Sequence, residues 1–311
     1  MNGFLVALMP VIAIATLGHV LSIRRWIPPE SWRAIERLSF LILLPALVVR
    51  TLANAPFETA PWKLATALIV AQFAMAGVGW LARYLPGMPR PAVGSIIQSN
   101  VRWNTMIGLS IGGLLYGEEG LALVAIAAAV MIPTANILTV YALVSHADQP
   151  HGPAPKPLLA LVKNPIVIAC VIGLGLATAN VELPDLLDDC LKILGDAAVA
   201  LGLLSAGAGV DLSALKRAGP RTFTWATIRL IGLPVFAVAI CLVLGVTGIP
   251  LLIAVICAAT PTATSSYILA KELGGDAPLA ANLLAVETLL AMITMPLLYF
   301  AALLLPAAAG A

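Results

Sequence analysis

Runs of about 20 mostly apolar residues recur along the chain, each bounded by turn or breaker residues. Such a run can cross a bilayer as a helix, because lipid offers the backbone no partner and a helix satisfies its own N–H and C=O groups. Ten spans are predicted, over 3–22, 34–53, 62–83, 92–115, 119–143, 158–179, 188–210, 222–246, 248–271 and 278–304. The breaks between them carry clear punctuation: Trp26-Ile27-Pro28-Pro29-Glu30, Pro86-Gly87-Met88-Pro89, Gly117-Glu118-Glu119-Gly120, Leu183-Pro184-Asp185 and Gly274-Gly275-Asp276. The longest polar stretch, Ser145 to Pro157, divides the chain nearly in half. The expected fold class is an all-α membrane protein with no extramembrane domain.

The first span lacks a basic leading region, and Arg24 and Arg25 follow it where a signal peptide would carry a cleavage site, so it is expected to remain as a helix. Connections after the odd-numbered spans hold Arg24, Arg25, Arg33, Arg37, Arg83, Arg90, Lys156, Lys163, Lys216, Arg217, Arg221 and Lys271. Those after the even-numbered spans hold only Lys63 and Lys192. The positive-inside bias then puts both termini outside a plasma membrane, the inner membrane in a bacterial cell.

Five spans per half is an odd number, so a second copy of the first half would enter the membrane upside down, as in many secondary transporters. The polar breaks in spans four and nine, at Asn104 and Thr262, lie about 158 residues apart, close to half the chain. The expected organisation is a first five-helix repeat over 1–143, a cytoplasmic connecting loop over 144–157, and a second, inverted repeat over 158–311, with spans four and nine broken and crossing.

Composition narrows the function. Of 311 residues, 61% are hydrophobic and 10% charged, against roughly 25% charge in a soluble domain, and mean hydropathy is +1.02. A charged shell for a soluble enzyme is missing. A net charge of +2 without a long basic run gives nucleic acid little to hold. Cys170, Cys190, Cys241 and Cys257 show no C-x-x-C spacing, and His19, His146 and His151 have no second ligand at metal spacing, so no metal or other cofactor is expected. No G-x-x-x-x-G-K-[ST] motif points to ATP.

Two segments violate uniform apolarity. One is Gln98-Ser99-Asn100-Val101-Arg102-Trp103-Asn104-Thr105 in span four. The other is Thr260-Pro261-Thr262-Ala263-Thr264-Ser265-Ser266-Tyr267 in span nine, where Pro261 removes a backbone donor. Interrupted helices at matched depth can present half-helix ends to a substrate, whereas a single such cluster is more simply a packing kink. The candidate substrate-binding residues are Asn100, Arg102, Asn104, Thr105, Asn136, Pro261, Thr262 and Ser265.

Arg102 is the sharpest of them, since a guanidinium near midplane costs at least about 2.5 kcal/mol and keeps its charge. It is either a fork for a substrate carboxylate, a fixed partner of Glu287, or a group snorkelling to the inner surface. Glu287, about ten residues into the last span, is the leading candidate for proton coupling, with a static structural role as the alternative. Asp196 is a second coupling candidate, or an interfacial residue at the start of span seven. Asn136 is a site donor or interhelical glue. Arg50 and Arg229 are read as snorkelling anchors, and Asn164-Pro165 as a helix cap followed by Pro at the first position.

The run Val101-Arg102-Trp103-Asn104-Thr105-Met106-Ile107-Gly108-Leu109 resembles the fourth helix of the auxin efflux carrier family. Ala259-Thr260-Pro261, Ile268-Leu269-Ala270 and Gly274-Gly275-Asp276 resemble its ninth. Lys163-Asn164-Pro165, Leu43-Leu44-Pro45-Ala46 and Thr294-Met295-Pro296 are also similar. This resemblance implies two inverted five-helix repeats, a substrate site at the crossing of broken helices four and nine, and a small organic anion as cargo. Members outside plants are associated with dicarboxylates such as malate and malonate, plant members with auxin. The short central loop resembles the compact microbial type. Glu287 stands where an uncharged polar residue is expected, and Ala200 where proline is common. A mobile bundle of spans three to five and eight to ten, moving past spans one, two, six and seven, is implied as well.

Together these readings predict a secondary active carboxylate transporter working by elevator-like alternating access, not an enzyme, with proton or sodium as coupling ion and membrane lipid around it. Gly173, Gly175, Gly202, Gly207 and Gly209 would permit close helix approach, including a homodimer. The rivals are a sodium-coupled symporter of the bile-acid type and a membrane sensor that binds ligand without moving it.

Overall fold

The computed structural model describes residues 2–54, 62–148 and 164–308; among them it is all-helical, with no strand. In chain order the helices are α1 (Asn2–Ile23), α2 (Pro29–Leu38), α3 (Leu44–Ala53), α4 (Trp62–Trp80), α5 (Arg90–Val101), α6 (Thr105–His146), α7 (Pro165–Thr178), α8 (Asp185–Ala208), α9 (Leu212–Arg217), α10 (Pro220–Val243), α11 (Gly248–Ala259), α12 (Ser266–Glu272) and α13 (Ala277–Leu303). Five stretches are long and apolar enough to cross a membrane: Trp62–Tyr84, Arg90–His146, Asp185–Ala208, Pro220–Val243 and Ala277–Leu303. Met9–Ile23, Pro165–Thr178 and Gly248–Ala259 are shorter apolar helices. Large apolar side chains such as Leu186, Ile193, Val243 and Leu297 point outward, a surface suited to lipid and not to water. The expected loop 144–157 lies outside the described residues from 149 onward; before that, α6 continues to His146.

The chain divides into two compact units. One comprises Met1–Pro61, Thr105–Ala129 and Leu161–Val210. Its helices approach at backbone distance. A Cβ on Gly207 would sit 1.8 Å from the Ala15 carbonyl oxygen, and one on Gly18 would sit 2.0 Å from that of Leu204, so only glycine lets α1 and α8 meet there. Gly173 against Val49 and Leu52, and Gly202 against Met106, are used in the same way inside this unit, while Gly175 has nothing within 4 Å. Pro45 has no N–H to donate and its ring crowds the carbonyl one turn earlier; the preceding Ser39–Leu43 segment widens into a π-helical turn. Asn164 caps α7 as expected, its Oδ1 accepting the Ile166 N–H at 2.9 Å with Pro165 opening the helix.

One expectation changes in this unit, and one break is met. Arg50 is not a snorkelling anchor: it pairs with Asp188 at 3.1 Å and with Glu118 at 3.5 Å, and Asn54 donates to the same Asp188. Its place in the last turn of α3 brings it to the first turn of α8, where a carboxylate supplies a partner closer than water. Within α6, Gly117 has φ +57° and ψ −138°, and a Cβ on Gly120 would lie 2.1 Å from the Gly112 carbonyl oxygen. Eight residues of straight helix span about 12 Å, so the chain folds back at Gly117, between the ends predicted for spans four and five.

The other unit comprises Trp62–Asn104, Val130–Ala160 and Asp211–Ala311. Thr105–Ala129 therefore groups with the first unit and not with the remainder of spans three to five. Val93, Ile96 and Ile97 of α5, Ala142 of α6, Trp225 and Ala226 of α10, and Leu283 and Val286 of α13 form a buried apolar cluster. The 12-residue helices α5 and α11 are enclosed nearly all round: Ala92 to Val101 and Leu251 to Ala259 are buried without exception. For α11 that follows from an almost wholly apolar sequence. For α5 it requires internal partners for Ser95, Gln98, Ser99 and Asn100. Gly274, at φ +78°, turns the chain after α12, and the Asp276 carboxylate caps α13 by accepting the Leu279 N–H at 2.9 Å.

Candidate functional site

Both polar segments interrupt their helices. α5 stops at Val101 and α11 at Ala259, and the next residues are extended, Arg102 at ψ 154° and Thr260 at ψ 149°. Ending a helix leaves its last carbonyls without intrahelical donors, which in a buried place must be met by something else. The Asn104 N–H donates to Thr260 Oγ1 at 3.2 Å, so the two breaks touch.

The orphaned carbonyls converge on one side chain. Arg229 is fully buried in α10 and donates from Nε to Ser99 O at 3.1 Å, from Nη1 to Ala258 O at 2.8 Å, and from Nη2 to Arg102 O at 2.8 Å and Thr260 O at 3.0 Å. Two of these carbonyls belong to the end of α5 and two to the end of α11. Val101 O is taken by Gln72 Nε2 at 2.8 Å, and Cys257 O by Thr260 Oγ1 at 2.9 Å. The expectation of a snorkelling Arg229 is therefore wrong. Nine residues into a 24-residue helix, its guanidinium finds the negative ends of two half-helices and has no need of the interface.

Glu287 sits on the opposite face of the chemistry. It is fully buried in α13; Oε2 accepts the Thr262 N–H at 2.8 Å and Oε1 accepts the Ser99 hydroxyl. The proposed pair with Arg102 is not formed. Arg102 Nη1 instead donates to Asn136 Oδ1 at 3.1 Å and Nη2 to Ser265 Oγ at 2.7 Å, while its Nε has no hydrogen-bond partner. Among the described residues the ion pairs are Arg50 with Asp188 and Glu118, and Arg217 with Asp211. Arg102 is partly exposed, unlike Arg229 and Glu287.

Of the residues singled out from the sequence, Arg102, Asn104, Asn136 and Ser265, together with Thr262 and Pro261 in the adjoining loop, come together in this unit. Asn100 is buried and donates to Met75 O at 3.2 Å, which ties α5 to α4. Thr262 is fully buried, with its hydroxyl 3.1 Å from that of Ser266. Thr105 opens α6 and belongs to the first unit, as does Asp196, which is exposed on α8. Sequence reasoning missed Arg229, Ser99 and Gln72. The signal for Arg229 was its depth in the span, and for Gln72 its isolation in an apolar helix. Ser99 carries no sequence signal beyond its place in a polar run.

An all-helical chain with an apolar exterior and interrupted polar helices has the makings of a membrane transport protein, and residues 151–299 match the family model of that description. That model is the auxin efflux carrier family domain, found at residues 151–299. Arg229, Thr260 and Glu287 lie inside the matched segment; Ser99, Arg102 and Asn136 precede it. Among curated proteins none matches the chain. The apolar helices and the matched transport-protein domain together point to a multi-pass membrane protein.

Proposed function

We propose that this protein is a secondary active transporter of a small organic anion, built as two inverted five-helix repeats and working by alternating access of the elevator type in the plasma membrane. The observation that carries the reading is the state of Arg102. Its two terminal nitrogens are held by Asn136 from α6 and Ser265 from the second break, which fixes the plane of the guanidinium. Among the described residues no carboxylate pairs with it. A partly exposed, oriented, uncompensated guanidinium between two interrupted helices is suited to a carboxylate, because paired N–H groups match two carboxylate oxygens.

In this reading Asn100 and Asn104 from the first break, and Pro261 and Thr262 from the second, complete the substrate site around Arg102. Thr105 follows them at the head of α6. Glu287 is the candidate for proton coupling within this unit; Asp196, exposed on α8, is a weaker one. Reconstitution into proteoliposomes tests the proposal. Uptake or exchange of at least one mono- or dicarboxylate is expected, and a panel that gives neither flux nor binding under any imposed ion gradient removes the carboxylate assignment.

A further inference from the structure

The α-helix carries partial negative charge at its C-terminal end, concentrated on the last carbonyls. α5 and α11 bring two such ends together in a buried place, where they repel each other unless a cation lies between them. In transporters with broken helices, unwound carbonyls and half-helix C-terminal ends are where a coupling sodium ion is commonly held. Here Ser99 O, Arg102 O, Ala258 O and Thr260 O all accept from Arg229 at 2.8–3.1 Å. Four of the five N–H groups that a guanidinium offers are thereby used.

We infer that Arg229 is the chain's own cation at the meeting of the two breaks, seated on the carbonyl ends of α5 and α11 where a monovalent ion would otherwise be needed, so that the site is held together without sodium. An arginine keeps its proton and cannot leave. A dissociable ion can be released to one side of the membrane and so transmit a gradient; a tethered one cannot. The counter-charge is also built in. Glu287 reaches the same two segments from their donor side, through the Ser99 hydroxyl and the Thr262 N–H. Ser99 thus touches both charges, giving its carbonyl to Arg229 and its hydroxyl to Glu287. Arg229 is a positioning residue and leaves Arg102 free to meet cargo. The consequence for ion dependence rests on the transport reading above; the consequence for the cation seat does not.

The seat is tested by thermal melting of the full chain in detergent, with sodium, guanidinium and choline chlorides compared at equal millimolar concentration. The wild type is expected to melt at the same temperature in all three. Arg229→Ala is expected to melt lower in choline and to regain stability with guanidinium in a saturable way, because the small ion refills the carbonyl seat. An Arg229→Ala protein indifferent to guanidinium overturns the inference, and so does a wild type stabilised by sodium over choline, a comparison that needs no variant. In proteoliposomes the wild-type initial rate is expected to be unchanged when choline replaces sodium on both sides; a tenfold fall overturns the inference. If no carboxylate is carried at all, the transport reading fails and the melting comparison still decides the seat.

Discussion

The hydroxyl of Ser99 donates to Glu287 across 188 residues of chain, while the carbonyl of the same serine accepts from Arg229. One residue at the end of α5 therefore joins Arg229 and Glu287, both fully buried. Removing either charge strands the other in a low-dielectric place, which is the costly way to break a buried pair.

Glu287→Ala is expected to destabilise the protein by about 3 kcal/mol or more, read as a fall in melting temperature in detergent. Glu287→Gln is expected to lose much less, since the amide oxygen can still accept from Thr262 N–H and the amide nitrogen can donate to the Ser99 hydroxyl. In proteoliposomes the same Gln variant is expected to keep exchange of labelled for unlabelled cargo and to lose acceleration by an imposed proton gradient. Acceleration equal to wild type would restrict Glu287 to a structural role.

The glycines of the first unit divide by what surrounds them. Gly207→Ala drives a methyl group against the Ala15 backbone, 1.8 Å away, and is expected to cost about 2 kcal/mol through forced separation of α1 and α8. Gly175→Ala meets nothing within 4 Å inside α7, and is expected to be neutral or stabilising by up to about 1 kcal/mol. Melting temperatures of the two variants, compared with wild type, check both signs.

The sequence foretold the helical class, the two interruptions and the residues at them, because a polar run in an otherwise apolar span has few physical explanations. Gln98 to Thr105 and Thr260 to Tyr267 stand out on composition alone. What it concealed was pairing. Arg229 looked like an anchor because its partners are backbone carbonyls supplied by Ser99, Arg102, Ala258 and Thr260, and a carbonyl has no sequence signature. Arg50 and Asp188 are 138 positions apart, and nothing local in either segment marks the other as its mate. The fold-back at Gly117 was legible as a Gly-Glu-Glu-Gly break, whereas the grouping of Thr105–Ala129 with the first unit depends on packing that no local pattern encodes.

Asp211 gives a pH dependence outside the spans. The Ser213 hydroxyl donates to its carboxylate and holds it below the usual aspartate range, helped by the Ser213 N–H and by Arg217. A carboxyl depressed in the folded state contributes stability that is present above its unfolded value, about 3.9, and is lost as pH falls through the lowered folded value. Asp211→Asn is expected to flatten the acid side of the stability curve slightly and leave neutral pH almost unchanged, since the group is exposed and screened. Melting between neutral and strongly acid pH, wild type against variant, measures it.

In the proposed transport reading a cargo carboxylate meets Arg102. Its most direct test is the ligand-induced shift in melting temperature of the purified protein across a panel of mono- and dicarboxylates, repeated with Arg102→Gln. A ligand that binds only the folded form raises its melting point, and loss of a charged partner costs about 2 kcal/mol or more of binding, roughly 30-fold in affinity. A shift is expected for at least one carboxylate in the wild type and none in Arg102→Gln, with the variant's own melting point close to wild type. A shift of equal size in Arg102→Gln would contradict it.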